Sequence, residues 1–424
     1  MKFVLAIYGT RGDTEPGVAV GRELSRRGHD VRLAVAPDLV GFVESAGLTA
    51  VAYGPDAREW QDVHRELLRR LFRNFWKVPD LIRLVREDFQ LFNQLWEELG
   101  ATLMSLGDGA DLLLSGAIGE QFAANVAEHY GIPLAMLHTF PIRASGQLLP
   151  GLPAPVGRSA MTLSEWLSWP MAKKRDDAQR RDVGLPKATG PGPWSRRIAE
   201  SGALEIQAYD GVCFPGLAAE WAKFDGQRPF VGALTIELPT DADGEVASWI
   251  AAGTPPIFFG FGSTPVASPA ETVAMIGAAC AQLGERALIC AAETDLRDIP
   301  HFEHVKTVGV MNYAAAFPAC RAVVHHGGTG TTAAGLRAGV PTLILPTFGD
   351  QTLWGNQVKR LKVGSARRFS RTTQESLVAD LRRVLDPQCA ARAREISSRM
   401  TRPGDSVALA ADLLEKFARS RPAV

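Results

Sequence analysis

Apolar and polar positions follow a repeating order along the first part of the chain. Phe3–Ile7, Val31–Ala36, Asp111–Leu114 and Pro133–Leu137 are short apolar runs that suit buried strands. Helical patterns lie between them. Val20 and Leu24 share a face at i,i+4, and Glu120–His129 reads as a further helix. After a loop at Tyr8–Pro16, Pro16 suits the start of the first helix and Gly28 its stop. Strands that alternate with helices predict a parallel sheet covered on both faces. The rhythm restarts with Ile257–Phe261 and continues through Glu271–Leu283, Ala287–Cys290, Arg321–His325 and Thr342–Leu345. Ser406–Phe417 is one more amphipathic helix.

Two stretches break the rhythm. Between about Arg58 and Leu106, apolar residues recur every four positions as adjacent pairs, with Phe72, Phe75 and Trp76 among them. Arg65, Arg69, Arg73 and Lys77 form a neighbouring stripe, and Pro79 separates two helical arms. This predicts a helical hairpin inserted into the alternating fold. Residues 140–200 are rich in Pro, Gly and Ser and read as loops with a short helix or two. Pro229 to Gly244 reads as a polar linker. The expected plan is an N-terminal domain over 1–228, a linker over 229–245 and a second α/β domain over 246–404. A C-terminal helix over 405–424 would then cross back to the first domain.

Composition narrows the classes. A chain of 424 residues exceeds one ordinary core. With 46 Lys+Arg against 46 Asp+Glu the formal charge is zero, which argues against a general nucleic-acid binder. Five isolated cysteines without a CxxC pair disfavour a disulfide or zinc framework and fit a reducing cytoplasm. No window is apolar enough to span a membrane. The aromatic and basic stripes of the insert can dock a greasy acceptor or touch an anionic membrane surface. A hairpin packed on its own domain is the plainer alternative.

Chemistry concentrates at strand ends. His325-His326-Gly327-Gly328-Thr329-Gly330-Thr331-Thr332 follows an apolar strand and precedes an Ala-rich helix. A glycine turn before a helix start offers free N–H groups and a positive dipole to an anion. The plainer reading is a turn that packs helix on strand. Phe348-Gly349-Asp350-Gln351 follows the next strand. Its carboxylate and carboxamide can grip sugar hydroxyls, or Asp350 can cap a helix. Gly260-Phe261-Gly262-Ser263 supplies another glycine turn with a hydroxyl. Gly9-Thr10-Arg11-Gly12-Asp13 follows the first strand. Asp13 can take a proton from a hydroxyl nucleophile, or be paired with Arg11.

Taken together, these motifs resemble the family 1 glycosyltransferases of GT-B fold, in the bacterial branch that decorates glycopeptide and macrolide antibiotics. Within that branch the chain resembles the mycobacterial glycopeptidolipid glycosyltransferases. Tyr8-Gly-Thr-Arg-Gly-Asp13-Thr-Glu-Pro16, Arg27-Gly-His29-Asp-Val31, the Trp60–Gly100 insert, Pro215–Trp221 and Arg228–Gly232 carry that likeness beside the HHGGTGTT and Asp-Gln motifs. The resemblance covers nearly the whole chain. It implies two Rossmann-like doubly wound domains facing a central cleft.

It also implies roles. Asp13 would be the catalytic base of an inverting sugar transfer. Ser263, His326, Thr329, Gly330 and Thr331 would hold the donor diphosphate, and Asp350 and Gln351 the donor sugar. Val310, Met311 and Asn312 would lie against the base and ribose. His138 and Thr139, with Phe72, Phe75 and Trp76, are the acceptor candidates, with a satisfied loop histidine as the equal alternative for His138. The resemblance implies no cofactor and no metal. Asp241-Ala242-Asp243 spells a metal motif of a different fold but falls in the linker. Expected partners are a nucleotide sugar, such as a dTDP-6-deoxyhexose, and a hydrophobic acceptor of the lipopeptide kind. The alternatives are an epimerase or phosphorylase of the same fold, or an inactive partner protein. A dehydrogenase is disfavoured because GTRG replaces the GxGxxG fingerprint after the first strand.

Overall fold

A computed structural model describes residues 1–56, 98–149, 151–188, 190, 192–224, 226–262, 268–291, 299–347 and 349–420. The chain divides into two compact units. Unit 1 holds Met1–Ala208, Ala219–Leu234 and Gly404–Val424, and unit 2 holds Tyr209–Ala218 and Thr235–Pro403.

Unit 1 is built on a six-stranded parallel sheet in the order β3-β2-β1-β4-β5-β6. Its strands are β1 (Lys2–Ile7), β2 (Asp30–Val35), β3 (Thr49–Ala52), β4 (Leu112–Gly116), β5 (Leu134–His138) and β6 (Leu204–Gln207). The central strands are buried on both faces, which is why they read as unbroken apolar runs. The register pairs Leu5 with Leu33 on one side and with Leu114 on the other.

Two local expectations are corrected here. The first helix begins at Arg11, not at Pro16, and runs to Arg26. Thr10 and Asp13 form a capping box that fixes this earlier start. Pro16 then sits inside the helix, where it withholds one N–H from the exposed Gly12 turn. The 140–200 region holds a 29-residue helix, Ala154–Asp182, and a shorter one, Trp194–Glu200. Pro155 lies in the first turn of the long helix, where a missing N–H does no harm.

That helix is fixed by tertiary contacts rather than by its own pattern. Trp169, Asp176, Gln179 and Arg180 are buried. Asn125 donates to Asp176 at 3.0 Å and Gln179 at 2.7 Å, and its oxygen accepts from Arg180 and Arg197. The helix Pro403–Arg419 closes the unit, with Arg27 on Asp412 at 2.6 Å and His29 on Glu415 at 2.7 Å. The predicted insert, with Phe72, Phe75 and Trp76, lies almost wholly outside the described residues. Its last part is helical over 98–107.

Unit 2 repeats the plan with a parallel sheet in the order β12-β11-β10-β7-β8-β9. These are β7 (Ile257–Gly260), β8 (Ala287–Cys290), β9 (Val305–Val308), β10 (Ala322–His325), β11 (Thr342–Ile344) and β12 (Gly364–Ala366). Helices cover both faces. Ile276 and Leu381 pack on Phe259 and Val324 from one side. Phe317 and Val246 pack on Phe258 and Val323 from the other. Residues 209–218 belong to this unit. Phe214 lies edge-on to Trp354 at 5.0 Å, and Asp210 accepts the Thr401 N–H at 2.6 Å.

Among the described residues, no helix is long and apolar enough to cross a membrane.

Candidate active site

In unit 1 the loop after β1 is drawn onto the start of its own helix. Asp13 Oδ2 accepts the Thr10 N–H at 2.8 Å and the Thr10 hydroxyl at 3.1 Å. Burial raises the Asp13 pKa above the usual carboxylate value, and the two Thr10 donors oppose the rise. Gly9 is required for this arrangement. Its φ is +139°, and a Cβ there would stand 2.4 Å from Asp13 Oδ2. Arg11 is not the partner of Asp13. It pairs with Glu15 at 3.6 Å and covers the Phe42 ring at 4.5 Å.

His138 ends β5 with no solvent exposure. One ring nitrogen meets Glu120 at 2.6 Å and the other meets Gln207 at 3.3 Å. Glu120 also pairs with Arg143 at 3.0 Å, Arg143 with Glu205 at 2.7 Å, and Glu205 with Arg228 at 2.5 Å. Of the two readings of His138, the geometry fits the satisfied histidine. The His138 side chain is committed to an interior ion network and presents no surface to an acceptor. Thr139 beside it is buried at 9% exposure.

In unit 2 the turn after β10 is built for close approach. His325 is fully buried, and its Nδ1 accepts the Gly327 N–H at 3.0 Å. Burial holds this ring neutral, with a pKa well below the usual value. Its proton therefore sits on Nε2, which has no hydrogen-bond partner among the described residues. Gly327, at φ +106°, brings the turn against the next loop; a Cβ there would lie 3.0 Å from the Gln351 carbonyl oxygen. A Cβ on Gly328 would lie 2.6 Å from His326 Nε2, so only glycine leaves room for that ring. Burial pushes the His326 pKa down to about 4, so it is a neutral imidazole near pH 7.

The helix Thr329–Arg337 starts at Gly328 with no side-chain cap. Its first N–H groups and the positive dipole end are left for an outside anion. The Thr329 hydroxyl accepts from the Trp354 indole at 3.0 Å, and a Cβ on Gly330 would face open space. Trp354 thus ties two helices of this site together.

The neighbouring loop carries Asp350 and Gln351 at the start of the helix Asp350–Leu361. Gly349 is the N-cap, so Asp350 is a first-turn acid and not the cap. Gln351 Oε1 accepts from both the N–H and the hydroxyl of Thr347 at 2.9 Å, which fixes the carboxamide orientation.

Beyond β9, Val310 is 48% exposed while Met311 is buried in the core. Asn312 spends its side chain as the N-cap of Tyr313–Ala316, accepting from Ala314 and Ala315. Asp243 accepts from the Thr240 N–H at 2.8 Å and the Asn312 N–H at 2.9 Å. Burial would raise its pKa, but these donors hold it below the usual value. This carboxylate starts a helix and belongs to the scaffold. Among the described residues no cluster of side chains has the makeup of a metal site. Ser263 lies outside the described residues.

The structure thus groups His326, Thr329, Gly330 and Thr331 at one helix start, with Asp350 and Gln351 on the loop that Gly327 touches. His325 and Thr347 complete this group, and sequence reasoning did not assign them. The doubled histidine was the available signal for the first. Nothing in the sequence marks Thr347.

This is the architecture of a GT-B glycosyltransferase. The crystal structure of the calicheamicin glycosyltransferase CalG4 is 18% identical, covers 99% of both chains and superposes with a TM-score of 0.72. The glycosyltransferase VinC, solved in complex with dTDP, is 18% identical over 99% of this chain and 100% of its own, with a TM-score of 0.64. The profile of the glycosyltransferase family 28 N-terminal domain matches residues 3–145. That of the erythromycin biosynthesis protein CIII-like C-terminal domain matches residues 267–411. An uncharacterized glycosyltransferase of Mycobacterium tuberculosis is 60% identical over 421 residues, 99% of each chain. The vancomycin aglycone glucosyltransferase of Amycolatopsis orientalis is 28% identical over 435 residues, the full length of both. The chain belongs to the GT-B glycosyltransferases of the antibiotic-type branch.

Proposed function

We propose that this glycosyltransferase moves a hexose, of the 6-deoxy kind, from a nucleotide-diphosphate sugar to a hydroxyl of a hydrophobic acceptor, with inversion. The observation that carries the donor half is the uncapped helix start at Gly328–Thr331, beside a neutral His326. A diphosphate leaving group gathers negative charge as its bond to the anomeric carbon breaks. Helix N–H groups and the dipole stabilise that charge without a metal, and the His326 ring, bonded to the Gly260 backbone, lines the turn beside them. Ser263 adds a hydroxyl, Asp350 and Gln351 bind the sugar, and the chain around Val310–Asn312 meets the nucleoside.

Asp13 of unit 1 acts as the base. The acceptor oxygen attacks the anomeric carbon on the face opposite the diphosphate. Its proton passes to Asp13, and the electron pair of the broken bond leaves with the nucleotide. A single displacement inverts the carbon. A carboxylate with a raised pKa is the stronger base for this step.

A greasy acceptor is supported by unit 1 itself. Val156, Leu163, Trp166 and Leu167 are exposed and recur at helical spacing on Ala154–Asp182. A lipopeptide-type natural product has the matching chemistry. The proposed location is cytoplasmic, with peripheral contact to the inner face of the membrane.

The test is incubation with UDP- and dTDP-sugars and a lipopeptide aglycone. Free nucleotide should appear only when acceptor is present, and the product should carry the inverted anomer. Nucleotide release that ignores the acceptor, or a retained anomer, sinks the reading.

A further inference from the structure

The edge strand β12 runs straight into Arg367-Arg368-Phe369-Ser370-Arg371. This turn lines a concavity of about 530 Å³ together with Lys359, Asp380 and Arg383. Five cations therefore face one acid. Asp380 is buried and already accepts from Arg367 and from Arg383 at 3.3 Å. Lys359, Arg368 and Arg371 have no acidic partner among the described residues.

Helix dipoles explain part of the cluster. Lys359 and Arg383 lie in the last turns of the helices Asp350–Leu361 and Gln374–Val384, where cations are favoured. Arg368 and Arg371 have no such reason to be there. They are carried on a turn that is pinned from beneath. The Phe369 ring meets Phe261 at 5.1 Å, and the Phe369 N–H donates to Pro346 at 3.1 Å. A pinned turn holds like charges together at a cost that a bound anion removes.

We propose that this concavity is a second anion site, for a ligand bearing a phosphate or diphosphate group. Guanidinium forks match phosphoryl oxygens, and several converging forks select a multiply charged group over a lone carboxylate. The volume falls within the range of about 300–1,000 Å³ typical of small-molecule sites. The lining includes no residue of the His326–Thr331 turn or the Asp350–Gln351 loop, and the proposed occupant is a molecule other than the sugar donor. A soluble phosphorylated metabolite and a lipid phosphate head both have this chemistry.

The probe is inorganic pyrophosphate, titrated calorimetrically into the full chain. Arg368→Glu/Arg371→Glu should remove one binding event, or weaken it at least about tenfold. Gly330→Asp, which fills the donor helix start, should leave that event intact. Both changes are at exposed or open positions, and matched melting curves establish that the variants fold. Lys359→Ala should give a partial loss.

Pelleting with phosphatidylcholine vesicles, with and without phosphatidylglycerol, identifies the source. Anionic vesicles that retain the wild type but not the double variant identify a lipid head. Equal pelleting with the pyrophosphate event present identifies a soluble ligand. Pyrophosphate binding that is the same in wild type and double variant overturns the site, as does binding that vanishes in Gly330→Asp alone.

Discussion

The two units start a helix after a central strand in the same way, and finish it in opposite ways. In unit 1 the helix Arg11–Arg26 is closed by its own chain, because Asp13 turns back onto Thr10. In unit 2 the helix Thr329–Arg337 is left open, with glycine at its cap and no carboxylate in its first turn. A helix start attracts negative charge in either case. One unit fills that place with its own carboxyl group, whose ionisation burial opposes. The other waits for a ligand. The surroundings differ in the same sense: β5 of unit 1 ends in a buried ion network, while β10 of unit 2 ends in two neutral histidines.

The largest expected effect falls on the closed end. Asp13→Asn should cut transfer by about 10²–10⁴-fold, the usual share of a general base, while nucleotide binding is kept. Because burial raises the Asp13 pKa, the folded state prefers this group uncharged. Its ionisation costs stability as pH rises through that raised value, so the Asn variant should melt no lower than wild type near neutrality. A large drop in melting temperature with transfer intact would reduce Asp13 to a cap.

Next comes the ion network. Arg143→Met takes one cationic partner from both Glu120 and Glu205, leaving them His138 and Arg228, and should cost about 3–5 kcal/mol in chemical denaturation. A loss below about 1 kcal/mol would mean that water already reaches these groups.

His325→Phe tests the open end from behind. It removes the Gly327 hydrogen bond and should destabilise by about 1–3 kcal/mol, with weaker dTDP or UDP binding in proportion. The acid behaviour follows from both histidines. Their folded pKa values lie below about 6.5, so their contribution to stability is complete above that pH. It is lost as pH falls toward 4, the value for His326. A melting temperature that stays flat from pH 7 to about 4 would contradict the burial of these rings.

The smallest effect is the sharpest for the comparison. Gly330→Asp places a carboxylate on the open helix and copies the closed one. It should raise stability by about 0.5–1 kcal/mol and weaken nucleoside-diphosphate binding about tenfold or more. Gly330→Asn carries the same bulk without the charge and should bind more tightly than the Asp variant. Equal affinities for the two would detach the anion reading from this helix.

The sequence by itself determined the alternation of buried strands and covering helices. It also determined the placing of Asp13, His326 and Asp350 just past strand ends. Apolar runs and glycine turns are local signals, and the eight inner strands formed where those signals stand, while the edge strands β3, β6, β9 and β12 were not legible from them. The tertiary structure decided what each side chain does there. His138 looks like a strand-end ligand in sequence, yet Glu120 and Gln207 reach it from other elements and take both its nitrogens. The helix Ala154–Asp182 was hidden by its prolines, because what stabilises it is Asn125, far away in the chain. Arg368 and Arg371 drew no notice in a chain of zero net charge. The packing of Phe369 on Phe261 and the Phe369 N–H bond to Pro346 hold those two cations beside Lys359 and Arg383. Hydrophobic periodicity is written in neighbours along the chain. Hydrogen-bond partners and charge clusters are set by neighbours in space, and these the chain acquires only when it folds.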